Sequence, residues 1–240
     1  DFCLSRGLGD VYKRQVYTVD LLGCGRSDKS SITYTNFVYV QMISDFIKKI
    51  IGQKTDVIAS GFSGSFVTMA CHNEKELFNK IMLVNPPSLT QLKQMPNRKD
   101  RLLKAALEIP IFGTLVYHMI VSRDNINNLF IEKMYYNPFH VDNQMADAYY
   151  EAAHKGGYYT RFLYSSLAAK YININICHAL KALDNSIYIV EGETEPNGKA
   201  VTDDYCASNP AIEVSVLKET KHLPHVEAPE AFLEQVKIFF

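Results

Sequence analysis

The chain has 240 residues, a length that suits one α/β domain with an insertion or two smaller domains. Hydrophobic residues make up 47% and charged residues 21%, enough apolar material for a packed core, which excludes wholesale disorder. Lys and Arg number 25 against 26 Asp and Glu, so the net charge of −1 leaves no basic excess to neutralise phosphates, and nucleic acid is not expected as a partner.

Residues 1–15 read DFCLSRGLGDVYKRQ, with no helical or strand period and no signal-peptide core. Their end, DVYKRQ, resembles the translation of a transposon adaptor used in preparing sequencing libraries. The segment is set apart as non-native, and the natural sequence is expected to begin near Val16 with its true N-terminal part missing. Residues 16–20 (VYTVD) alternate and are β-rich, predicting a strand that ends at Asp20 before the turn Gly23-Cys24-Gly25. Over 37–51, Val40, Ile43, Phe46, Ile47, Ile50 and Ile51 form a helical stripe that Gly52 stops. A short strand is predicted at 56–60. It runs into Gly61-Phe62-Ser63-Gly64-Ser65, after which 66–71 reads as a buried helix.

The continuous apolar run 81–84 is closed by Asn85-Pro86-Pro87, as in a parallel strand buried on both faces. Strand, helix, strand, helix, strand predicts a parallel sheet with crossover helices. From 88 to 184 helical periods dominate and tyrosines gather, which marks a helical insertion. Its longest uncharged apolar stretch, 109–121, is too short for a bilayer span and contains Pro110, Gly113 and His118. Strands resume at 186–190 and 212–217, and 229–240 closes the chain as an amphipathic helix. The expected core is therefore 16–87 with 185–240, and the insertion is 88–184.

Ser63 lies between a predicted strand and a predicted helix, with small residues (Gly61 and Ser65) two positions to either side. A tight turn there would lift the hydroxyl above the sheet, and the helix N-terminus would offer N–H groups to a developing oxyanion. A serine needs a base, and His222 follows the last strand, on the same sheet edge as Ser63. His225 is the competitor, but its spacing starts the final helix. An acid should hold the imidazole. Glu195, after the 187–190 strand and 27 residues before His222, is preferred, with Glu193, Asp203 and Asp204 as alternatives. The histidines show no HxxxH or HExxH spacing, so no metal is expected. The five cysteines are scattered and odd in number, without CxxC pairs, which argues against a disulfide framework and makes the cytoplasm the default location.

These segments together resemble the α/β-hydrolase superfamily, in the branch with a helical cap. Residues 19–28 (VDLLGCGRSD) are similar to the segment after the family's fourth strand, and 56–65 to its fifth strand and nucleophile elbow. Residues 81–86 resemble its sixth strand, 187–195 the strand and acid loop, and 222–232 the histidine loop with its Glu-x-Pro tail. The implied fold is a mostly parallel α/β-hydrolase sheet lacking its first three strands, with a helical cap insertion. Since the family's third strand lies between its fourth and fifth, no regular ladder is expected between 16–20 and 56–60.

The resemblance implies a serine hydrolase that cleaves a small ester, amide or related acyl substrate without cofactor or metal. Ser63 would attack, His222 would move the proton, Glu195 would orient the imidazole, and the Gly64 N–H would serve the oxyanion. Aromatic residues of the cap would wall the substrate pocket. Two departures stand out: Glu occupies a position usually held by Asp, and no His-Gly oxyanion loop occurs. The missing upstream segment accounts for the second, so the chain as it stands is expected to be inactive and aggregation-prone. Serine rather than aspartate as nucleophile separates it from the haloalkane dehalogenase and epoxide hydrolase relatives. The rival expectation is a non-catalytic binder of a small apolar ligand, and a third is an acyltransferase or carbon–carbon hydrolase with the same triad.

Overall fold

The computed structural model describes residues 15–141 and 143–240, so most of the stretch expected to be non-native (1–14) lies outside the described residues. Four parallel strands form one sheet in the order β1 (Thr55–Ser60), β2 (Phe78–Val84), β3 (Ile187–Gly192) and β4 (Glu213–Leu217). The ladders run Ser60 to Val84, Val84 to Val190 and Gly192 to Leu217, which brings the carboxyl ends of all four strands to one edge.

Residues 81–84 of β2 and 187–190 of β3 are apolar without interruption because both sheet faces are covered there. Ile81, Leu83, Ile187 and Ile189 pack beneath α1 (Asn36–Phe46) and α2 (Phe62–Asn73). Their neighbours Met82, Val84, Tyr188 and Val190 face the other way, toward Phe232 of the C-terminal helix. α1 runs on through a π-helical turn, Ile47–Ile51, and stops at Gly52, which adopts φ 72°.

The predicted strand at 16–20 is corrected: those residues belong to no strand of the sheet, and Val16, Tyr17 and Val19 are exposed. An alternating apolar pattern becomes a strand only where a neighbour completes its ladder, and β1, an edge strand of the sheet, pairs only with β2.

Between β2 and β3 the described residues form helices and no strand. They are α3 (Leu89–Leu92), α4 (Arg98–Glu108), α5 (Pro110–Ile120), α6 (Arg123–Leu129), α7 (Asn143–His154), α8 (Arg161–Ala168) and α9 (Cys177–Ala182). α4 opens on a capping box in which Asn97 and Asp100 satisfy each other's backbone N–H, and Pro110 breaks it from α5 at a 96° bend. No single described helix is long and apolar enough to cross a membrane. After β3 come α10 (Gly198–Ser208), then β4, α11 (Pro224–Glu227) and α12 (Pro229–Phe239).

Candidate active site

The loops at the carboxyl edge of the sheet converge on His222. Its Nδ1 lies 3.0 Å from Glu195 Oε1, and with the ring proton placed on Nδ1 as the donor, Nε2 is the nitrogen that carries the lone pair. His222 is 34% exposed on its side chain, open enough for a substrate to reach it. The other carboxylate oxygen, Glu195 Oε2, is buried without a partner.

Both residues sit on tied-down loops. After β3, the Glu193 N–H donates to Leu217 O and the Thr194 N–H to Thr220 O, fastening the acid loop to the loop after β4. Gly192 is required here by close approach. A Cβ on it would lie 1.9 Å from Lys221 O, beside the histidine.

Two further residues hold the same loop and escaped the sequence reading. Asn85, just past β2 at φ 42°, donates through Nδ2 to Lys221 O (2.8 Å) and His222 O (2.9 Å). Its Oδ1 accepts from the Gly192 N–H at 3.0 Å. Glu227 accepts from the Lys221 N–H at 2.7 Å and from the Tyr136 N–H of the insertion at 2.6 Å. The visible signals were a polar side chain ending an apolar strand, and the glutamate of the Glu-x-Pro tail.

His225 is set apart from this pair. It lies on α11 with its ring 5.8 Å from that of Phe232, and its Nδ1 is buried without a hydrogen-bond partner. Burial, with His222 nearby, holds its pKa below the usual histidine range.

The expectation that Ser63 stands at the apex of the strand-to-helix turn is corrected. α2 begins at Phe62, so Ser63 lies within its first turn, where Oγ donates to Ser60 O at 2.7 Å. No hydrogen bond joins it to His222 among the described residues. The apex is Gly61, at φ 57° and ψ −132°, backbone that a residue with a Cβ adopts only under strain. Gly64 is corrected as well. Its N–H donates to Gly61 O at 3.1 Å and is not available to an oxyanion. The donors without helical partners are the first N–H groups of α2, beginning with Phe62.

The insertion touches this edge directly. Met134 O accepts from the His222 N–H at 3.1 Å, and Phe130, Tyr135 and Leu223 share one apolar cluster. A depression of about 600 Å³ that Glu195 lines runs along α10 and β4 past Asn197, Lys199 and Val216. It includes neither His222 nor the insertion's tyrosines, which were expected to wall the pocket.

A parallel sheet with helical crossovers, a strained strand-to-helix turn and a histidine–carboxylate pair on the loops after the last two strands define an α/β hydrolase. The model of the alpha/beta hydrolase family matches residues 2–235, and the chain belongs to that family. No curated protein sequence matches it. Among solved structures it is similar to a carboxylesterase of Nitrososphaera gargenis (TM-score 0.66, 15% identity, covering 92% of this chain and 77% of that one). It is also similar to a bromoperoxidase of Bacillus anthracis (TM-score 0.70, 11% identity, 92% and 79%). A third is the 2-hydroxy-6-oxo-6-phenylhexa-2,4-dienoate hydrolase of Rhodococcus sp. strain RHA1 (TM-score 0.69, 16% identity, 92% and 78%). At such identities the likeness is one of fold.

Proposed function

We propose that the protein hydrolyses a small ester, amide or related acyl compound, with His222 as the proton-transfer residue and Glu195 as its orienting partner. The observation that carries this reading is the 3.0 Å bond from His222 Nδ1–H to Glu195 Oε1, which aims the basic Nε2 away from the acid. The carboxylate would stabilise the imidazolium once it has taken a proton. The N-terminus of α2, with its unpaired N–H groups and positive dipole end, supports the place of an oxyanion.

The acyl compound would enter between the helical insertion, acting as a cap, and the sheet edge. The test is turnover of short p-nitrophenyl esters by the protein expressed from its full gene. His222→Ala is expected to lower kcat by about 10²-fold or more, the usual contribution of a general base. Equal turnover by the two proteins would refute the assignment. Saturable ligand binding without turnover would mark the protein as a non-catalytic binder.

A further inference from the structure

Resting on that reading, we infer that the site carries no serine nucleophile, and that water deprotonated by His222 attacks the acyl carbon directly. A serine becomes a covalent nucleophile in this fold by standing at the strained turn between strand and helix, where its hydroxyl is lifted into the site. Between β1 and α2 the residue in that conformation is Gly61, which has no side chain. A Cβ placed there meets nothing within 4 Å, so the apex opens onto free space.

Ser63 is two residues further along, about 200° around the helix axis at 3.6 residues per turn. Its hydroxyl is occupied by Ser60 O. The apex and the histidine, by contrast, flank the same strand end. The Gly61 N–H donates to Val84 O at 2.9 Å, and the next residue, Asn85, donates to His222 O at 2.9 Å.

A vacant apex beside an intact histidine–glutamate pair leaves room for a water where a serine hydroxyl would be. His222 Nε2 takes one proton of that water as its oxygen bonds to the acyl carbon. The carbonyl π pair moves onto oxygen, facing the first N–H groups of α2. Collapse of this intermediate breaks the bond to the leaving group, which takes the proton from the imidazolium. The products are the free acid and an alcohol or amine, with no acyl-enzyme between them.

The experiment treats the protein expressed from its full gene with a fluorophosphonate probe, located by mass spectrometry, and follows p-nitrophenyl acetate in the pre-steady state. The wild-type protein is expected to take no label and to show no burst. Gly61→Ser is expected to gain a label at position 61, and Ser63→Ala to keep kcat within about threefold while His222→Ala loses it. Label on Ser63 or Ser60 of the wild-type protein, or loss of turnover in Ser63→Ala with its melting temperature unchanged, would overturn the inference while leaving the hydrolase reading intact. So would a folded Gly61→Ser protein that takes no label. Should Gly61→Ser not fold, wild-type labelling and Ser63→Ala turnover decide alone. A wild-type protein with neither label nor turnover would overturn the hydrolase reading and the water step together.

Discussion

Gly192 shows how closely the acid and histidine loops approach each other. A methyl group there would meet Lys221 O at 1.9 Å, with Lys221 C at 2.8 Å behind it. Backbone atoms cannot yield as a side-chain end can, so the loop bearing His222 would have to move away from Glu195. Gly192→Ala is expected to cost about 1–3 kcal/mol, the usual range for overpacking, and to lower kcat beyond what the lost stability explains. Denaturant unfolding alongside kcat measures both; unchanged values would show that the approach is not close. His225 makes a pH-dependent contribution. Because burial depresses its folded-state pKa, the unfolded chain binds its proton more readily. That contribution is complete above the ordinary histidine value of about 6.5 and is lost as pH falls below it. The melting temperature of His225→Phe should therefore gain on the wild type between pH 7 and pH 5.5, whereas parallel curves would contradict this.

At the scale of elements, sequence was informative where one chemical requirement fixes one register. β2 and β3 were legible because only a strand covered on both faces tolerates an unbroken apolar run. The contact between His222 and Glu195 was legible because each follows a predicted strand, β4 for the histidine and β3 for the glutamate. The elbow was not. Small residues recur at Ala59, Gly61, Ser63 and Ser65, so the pattern of small neighbours two positions either side of an apex fits Gly61 as well as Ser63. What decides is where β1 ends. Its ladder reaches Ser60 opposite Val84, which hands the turn to Gly61 and starts α2 at Phe62. The stretch 16–20 failed for a different reason, since its period says nothing about whether a partner strand is there. Beside the bond from the His222 N–H to Met134 O, Glu227 ties the histidine loop to the insertion, accepting from the Lys221 and Tyr136 N–H groups. Glu227→Ala would leave both donors without that acceptor and is expected to lower kcat/KM about tenfold or more with a smaller loss of stability. A matched fall in both would make Glu227 a purely structural residue.

Across the whole molecule, the sheet is a rack whose carboxyl edge brings four separate stretches of sequence together. The turn at Gly61 comes from the first crossover, Asn85 from the end of β2, Glu195 from the loop after β3 and His222 from the loop after β4. The helical insertion closes on the same edge through Met134 and Tyr136. Little of this depends on the chemistry of the substrate, and the many activities found on the fold agree with that. On the proposed function, His222 and Glu195 act as one unit in hydrolysis. A double-mutant cycle on kcat/KM for a p-nitrophenyl ester tests it most directly. His222→Ala should lose about 10²-fold or more, Glu195→Gln a comparable amount, and the double variant no more than His222→Ala alone. Losses that multiply, or a Glu195→Gln protein as active as the wild type, would contradict the claim.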